Sequence, residues 1–204
     1  LDQKKLHIIL DPNSEHQVLI LDKSESTGKM LLSKFPEVFK GNIGKLNNFK
    51  HKIILKEGAV PVVHKVRNVP FSLREEVTKE LQRLMDDKIF EEVESSEWVS
   101  PLVVARKTNG KIRLCVDLRS LNENIQVDQF PLPKINELLS LTKGMKVFST
   151  IDLSAAYHQV PLDSDSKKYT TFITQEGCFQ FNRMPFGLAS AAAVFQRLMH
   201  KIFK

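Results

Sequence analysis

The pair Asn109-Gly110 lies between two runs that read as strands, "WVSPLVVARKT" before it and "KIRLCVDLRSLN" after it. Asn-Gly readily supplies the left-handed backbone of a tight hairpin turn. The returning run alternates. Ile112, Leu114, Val116 and Leu118 fall on one face, and Arg113, Cys115, Asp117 and Arg119 on the other. Residues 101–119 are therefore expected to form an antiparallel ribbon with one apolar and one polar face. Five basic residues (Arg106, Lys107, Lys111, Arg113 and Arg119) accompany a single acid, Asp117, along it. That face is either simply solvated or a finger that presents guanidinium forks and an amine to phosphate. The pattern by itself leaves both open.

The rest of the chain adds hairpins and separate helices. "VPFSLREEVTKELQRLMDDKIFEEV" predicts a helix, with Ser72 and Glu75 spaced as a capping box and Leu73, Val77, Leu81, Leu84 and Ile89 on one face. "HKIILKEG" (51–58) reads as a strand ending at Gly58. "FPLPKINELLSLTKGMK" predicts an extended entry to a helix over about 135–141, stopped by Gly144. "KKYTTFITQEGCFQFNRM" predicts a second hairpin turning at Glu176-Gly177. "PFGLASAAAVFQRLMHKIFK" predicts a turn leading into an Ala-rich helix. In residues 1–50, "LHIILD" and "QVLILD" read as short strands, "GKMLLSKFPEVF" as a short helix stopping near Pro36, and "GNIGKLNN" as a loop. No βαβ repeat is present, so the fold class is α+β.

Composition excludes more than it selects. With 42% hydrophobic and 26% charged residues, the 204-residue chain can build a core and is not of disordered type. A net charge of +6 favours an anionic partner, weakly. Two distant cysteines, Cys115 and Cys178, give no disulfide framework or zinc site and are expected to be free thiols. The six histidines have no metal-ligand spacing. No apolar run approaches the ~18 residues of a membrane span, and no signal-peptide pattern opens the sequence. A start at Leu1 instead of Met is what a piece of a longer chain would have.

"FSTIDLSAAYHQV" (148–160) carries the sharpest question, because it ends an alternating strand on a lone acid, Asp152. An ionised carboxylate ending a buried strand is costly, and a divalent cation such as Mg²⁺, which takes hard oxygen ligands, would offset that cost. One Asp does not make a two-ion site, which needs further carboxylates around ions about 4 Å apart. Asp152 reads equally well as a helix N-cap. Taken singly, Tyr157 reads as core packing, His158 and Gln159 as surface or inter-helix hydrogen bonding, and "MPFGL" as a turn.

The order of these pieces carries a resemblance. "SEWVSPLVVARKTNGKIRLCVDLRSLN", "FPLPKI", "FSTIDLSAAYHQVPL", "KKYTTFIT" and "FNRMPFGLASAAAVFQRLM" together resemble the reverse transcriptase of gypsy-type LTR retrotransposons, part of a Pol polyprotein. The resemblance runs from about Phe49 to Lys204 and is vaguer before that.

It implies a right-hand polymerase: fingers over 51–127 and 160–190, a partial palm over 128–159 and 191–204, and a connecting segment over 1–50. Asp152 matches the first catalytic aspartate, which with the Leu153 carbonyl holds Mg²⁺. The family uses two such ions, and Mn²⁺ can replace them. Lys107 and Arg113 match finger residues that grip the incoming triphosphate, in keeping with phosphoryl transfer as positioning plus charge neutralisation. Asp117 and Arg119 resemble residues that bear on the template strand. Tyr157 resembles the aromatic wall under the sugar, and Phe186 and Gly187 sit where the family lines the nucleotide pocket and meets the template. The implied activity is RNA-directed DNA polymerisation, with an RNA or DNA template-primer and dNTP as partners. The remainder of the polyprotein (thumb, RNase H, integrase, protease) is also implied, and no membrane. The implied location is intracellular, in a cytoplasmic virus-like particle or the nucleus, and not secreted.

This sequence departs from the family pattern in two ways. It contains no Tyr-x-Asp-Asp turn, which the family places a short way beyond the equivalent of Lys204. It also has "ASAAAVFQ" where the family usually has Asn-Ala-Pro before Thr-Phe-Gln, and Ala156 where a Gly usually precedes the Tyr. Losing the Pro leaves the helix start less fixed. The chain alone is thus expected to lack activity. The alternative reading is a non-catalytic fragment of a degenerate element that at most binds nucleic acid. A viral-type RNA-templated RNA polymerase shares the palm, but a large ring at Tyr157 argues against it, because such an enzyme must accept the 2′-hydroxyl.

Overall fold

The computed structural model describes residues 5–8, 30, 32–36, 38, 43–106, 110–141, 143–144 and 148–203, with the backbone alone for 5–8, 141 and 148–151. In chain order the strands are β1 (Lys5–Ile8), β2 (Phe90–Val93), β3 (Ser100–Arg106), β4 (Ile112–Val116), β5 (Phe148–Ile151), β6 (Phe172–Ile173) and β7 (Cys178–Phe181). The α-helices are α1 (Arg74–Asp86), α2 (Arg119–Asn124), α3 (Ile135–Leu141), α4 (Ser164–Lys167) and α5 (Ala191–Ile202). They fall into two compact units, one of residues 1–43 and 132–156, the other of 44–131 and 157–204.

In the first unit β5 pairs in parallel with β1, Lys5 opposite Phe148 and Ile8 opposite Ile151. The strand read in "LHIILD" is therefore present and has a partner. Residues 17–22 lie outside the described residues. Met30 and residues 32–34 are helical and Pro36 lies in a turn. Helix α3 forms where the sequence places it, and Gly144 takes φ +81° just beyond it.

The second unit is built on a five-stranded mixed sheet in the order β2-β7-β6-β3-β4. Neighbours run antiparallel except for the parallel pair β3 and β6. Phe90, Phe172, Phe179 and Phe181 meet on it, with ring centroids 5.2–5.8 Å apart. Helix α1 covers the sheet at β2 and β4 and buries Val77, Leu81 and Leu84. Its polar face is exposed, and Lys79 pairs there with Glu75, and Arg83 with Glu80 and Asp87. The helix ends in a Schellman arrangement: Ile89 N–H donates to Leu84 O at 2.9 Å and Lys88 N–H to Met85 O at 2.8 Å. Lys88 occupies the left-handed position, φ +56°, where Gly is usual.

Three local expectations are corrected. The Ser72–Glu75 capping box does not form. Ser72 lies inside a 3-10 turn, Phe71–Leu73, closed by Leu73 N–H to Pro70 O, and α1 continues directly from that turn. "HKIILKEG" is not a strand but an extended segment with isolated bridges, His51 to Leu162 and Leu55 to Ile125. Its other backbone groups are satisfied piecemeal, as when Ile53 N–H donates to Ser166 Oγ at 2.8 Å. The alternation after Gly110 ends at Val116, and Arg119 opens α2 instead of closing the hairpin. Leu118, Leu121 and Ile125 are all buried, and that spacing of three and four is helical. Among the described residues no helix is long and apolar enough to cross a membrane.

Candidate functional site

Two antiparallel hairpins form, β3 with β4 and β6 with β7. In the first, Ala105 opposes Arg113 and Leu102 opposes Val116. Ile112 and Val116 are buried while Arg113 is exposed. Gly110 takes φ +81° at its turn, whereas Lys107 and Asn109 lie outside the described residues. In the second, Thr174 N–H donates to Gly177 O at 2.9 Å across the turn, and Gly177 takes φ +144°.

Beyond β4 the chain places Asp117 between two arginines. Arg119 forks onto it, Nε to Oδ1 at 2.8 Å and Nη2 to Oδ2 at 2.7 Å, and Arg67 Nη2 donates to Oδ2 at 2.8 Å. The hydrogen bonds from Arg119 hold this carboxyl well below the usual carboxylate range; burial opposes them, and the hydrogen bond from Arg67 adds to them. Nothing local in the sequence marks Arg67, which lies 52 residues upstream of Arg119, as a member of this group.

"RMPFGLAS" forms a loop anchored at both ends. Met184, Pro185, Leu188 and Ser190 are buried, and Phe186 and Gly187 are exposed at its tip. Met184 N–H donates to Val160 O at 2.8 Å. Gly187 has φ +87°, a conformation that L side chains rarely adopt. Asn122, on α2, grips this tip from the other side. Its Nδ2 donates to Gly187 O at 2.8 Å and its Oδ1 accepts from Ala189 N–H at 2.8 Å. The only sequence hint is an Asn inside a short helix, where it is a poor helix former.

The rings at this loop form a platform. Tyr157 stands 5.1 Å from Phe186 and 5.6 Å from Phe195, and His158 stands 4.9 Å from Phe186. Burial, with Arg83 and Arg183 nearby, pushes His158 down to about 4. Tyr157 and Phe186 are thus brought together as ring neighbours. His158, expected as a surface or inter-helix hydrogen-bonding group, is instead an aromatic partner in this platform. Phe195, which the sequence shows only as part of a motif, completes it. Ser190, at the start of α5, is tied to the extended segment at His51. Ser190 Oγ lies 3.1 Å from His51 Nε2, and burial lowers His51 to about 4 against a smaller opposing effect of Asp128.

Asp152, in the first unit, directly follows β5 as expected, but it is exposed. Burial therefore creates no demand for a cation there. Nor is it an N-cap, since the next helical turn is a 3-10 turn beginning at Ala156. Ala155 carries a positive φ of +46°, one residue before the position where the family has Gly, so Ala156 itself is unstrained. The Asp152 carboxylate and the Leu153 carbonyl are hard oxygens of the kind that Mg²⁺ takes. Among the described residues no group of three or more His, Cys, Asp or Glu could hold a metal ion, so the two-ion set is not complete within them.

Residues 105–204 match the family model described as reverse transcriptase (RNA-dependent DNA polymerase). The chain is 39% identical over 176 residues to an uncharacterised protein of Caenorhabditis elegans, covering 85% of this chain and 14% of that protein. It is 33% identical over 215 residues to the retrovirus-related Pol polyprotein from transposon 412 of Drosophila melanogaster, covering 94% of this chain and 17% of that one. It thus spans less than a fifth of the length of these relatives. In structure it is similar to the prototype foamy virus protease-reverse transcriptase, with a TM-score of 0.75 at 17% identity over 88% of this chain and 24% of that chain. A foamy viral protease-reverse transcriptase in complex with RNA/DNA hybrid gives 0.74 at 16% identity, over 91% of this chain and 25% of that one. At such identities the structural likeness establishes the fold.

Proposed function

This chain belongs to the reverse transcriptase family through residues 105–204, and on that premise we propose that it supplies the fingers and part of the palm of an RNA-directed DNA polymerase. The enclosing protein is the Pol polyprotein of a gypsy-type retrotransposon, and the partners are an RNA or DNA template-primer and dNTP. The fingers take 51–127 and 160–190, and the palm 128–159 and 191–204. The observation that carries the reading is the Phe186–Gly187 tip, to which Asn122 on α2 and the Tyr157 ring both attach. An exposed ring and an exposed glycine backbone, held rigid by neighbours, suit close approach by a nucleotide.

The side chains then have separable tasks. Arg113 projects from a rigid ribbon and binds phosphate oxygens as a fork, with Lys107 as a second cation. Tyr157 lies under the sugar, and its bulk excludes a 2′-hydroxyl, the group that separates RNA from DNA. Phe186 and Gly187 bear on the nucleotide and template, and Asp117 with Arg119 on the template strand. The Asp152 carboxylate and the Leu153 carbonyl would hold Mg²⁺, which when bound neutralises charge on the reacting phosphates.

Primer extension on a homopolymer RNA template tests this. A Pol protein that contains these 204 residues together with the further acidic residues is expected to incorporate dNTP in a template-directed way. The 204 residues alone are expected to give none, because their sequence has no Tyr-x-Asp-Asp turn. Robust incorporation by the 204 residues alone would refute the assignment of the missing carboxylates. Template binding without any incorporation by the longer protein would favour the non-catalytic alternative.

A further inference from the structure

The segment that leads to Arg67 is held by a series of hydrogen bonds that none of the assigned roles uses. The extended segment before it runs beside Trp98–Val99: His64 N–H donates to Val99 O at 2.8 Å, and Val99 N–H to Val62 O at 2.9 Å. The His64 ring reaches α2, with Nε2 2.9 Å from Ser120 Oγ. Arg67 then reaches Asp117, which is only 13% exposed, while Arg67 is 49% and Arg119 80% exposed. Two exposed guanidinium groups therefore converge on one sheltered carboxylate.

Exposed ion pairs add little to stability, so this triad makes a poor staple. It makes a good orienting device. A guanidinium has five N–H donors. Arg67 uses one of them on Asp117 and Arg119 uses two. The other donors are carried on two solvent-facing groups; the shared carboxylate fixes the plane of Arg119 through its two-point fork and tethers Arg67 at one nitrogen. Glu123 lies close enough to act on Arg119, and Lys56 Nζ sits 2.8 Å from Glu123 O. Among these five side chains, three positive charges face two negative ones.

We infer that Arg67 is a further binding residue, which together with Arg119 grips the phosphodiester backbone of a bound nucleic acid, and that Asp117 is the positioning residue that aligns the pair. The ligand class is the polyanionic backbone, read without regard to base sequence. The inference rests on the reading of this chain as a nucleic-acid polymerase segment.

The test is the salt dependence of binding of a fluorescein-labelled DNA primer–template duplex to the 204-residue chain, followed by anisotropy. Removing one protein–phosphate ion pair flattens the slope of log K against log salt by about 0.9. Arg67→Ala is expected to flatten it by about that amount, with weaker binding to every duplex sequence, and Arg67→Lys to restore it. Lys79→Ala removes the same charge from the exposed face of α1 and is expected to leave the slope unchanged. An Arg67→Ala slope equal to that of Lys79→Ala, with or without a fall in Tm, would overturn the inference while leaving the polymerase reading intact. No salt-dependent binding by the unaltered chain would overturn the polymerase reading first and the inference with it.

Discussion

Removing the Asn122 side chain tests the brace on the Phe186–Gly187 tip. Asn122→Ala deletes two hydrogen bonds at once, one to Gly187 O and one from Ala189 N–H, both 2.8 Å long. A neutral hydrogen bond nets about 1 kcal/mol. Gly187 and Ala189 are exposed, so water replaces the missing partner and no buried group is stranded. The loss is therefore about 1–2 kcal/mol for the pair, not the larger penalty of an unsatisfied buried amide. It falls on a loop whose ends stay anchored by Met184, Pro185 and Leu188, so local opening should feel it more than global unfolding. Native-state hydrogen exchange reads it directly. The Ala189 amide, whose acceptor is Asn122 Oδ1, is expected to exchange about 5- to 30-fold faster in Asn122→Ala, since about 1.4 kcal/mol corresponds to a factor of ten. Asn122→Asp keeps an acceptor for Ala189 and loses only the donor to Gly187, so Ala189 should stay protected. Unchanged Ala189 exchange in Asn122→Ala would show that the tip is held by its own backbone and that Asn122 braces nothing.

Acidification should weaken the second unit. His51 and His158 sit at about 4 in the folded chain, below the ordinary value near 6.5, so the unfolded chain binds more protons between those values. Stability is then full above about pH 6.5, falls as pH drops towards 4 and levels off below it, by up to about 3 kcal/mol for buried His51 and less for half-buried His158. Urea melts across that range should show it, and a flat profile would refute the burial argument. Lys88→Gly should stabilise the chain by about 1 kcal/mol, since a left-handed non-glycine residue costs roughly 1–2 kcal/mol and glycine's extra unfolded-state entropy offsets part of the gain; a lower urea midpoint would refute it. In a catalytically complete Pol protein, Asp152→Asn should abolish incorporation while sparing template binding, which depends on basic groups. Retention of activity within about tenfold, ~1.4 kcal/mol of barrier, would remove Asp152 from the metal site. Tyr157→Ala in the same protein should admit ribonucleotides, checked by incorporation of rNTP against dNTP.

Elements whose signal is local were legible in the residues alone. Alternation from Ile112 to Val116 and the glycines at 110 and 177 specify two hairpins, because strand period and turn backbone are properties of neighbouring residues. Val77, Leu81 and Leu84 specify the buried face of α1 in the same way. The order of the motifs was enough to indicate the family. The partnering of the polar groups was not legible there, because it depends on how distant segments pack. Ser72 has the spacing of a cap, yet the Pro70 turn supplies the helix start. Ser190 has no such spacing, yet it meets His51, 139 residues away, and helps pin the start of α5. Arg67 and Asp117 lie 50 residues apart, and Asn122 and Gly187 lie 65 apart. A side chain's periodicity tells which face it occupies, but a polar group is satisfied by whichever segment the fold lays against it. Apolar burial is non-directional and leaves its mark in local pattern. Hydrogen bonds need a matched donor and acceptor within about 3 Å, and that match is made only when distant segments come into register.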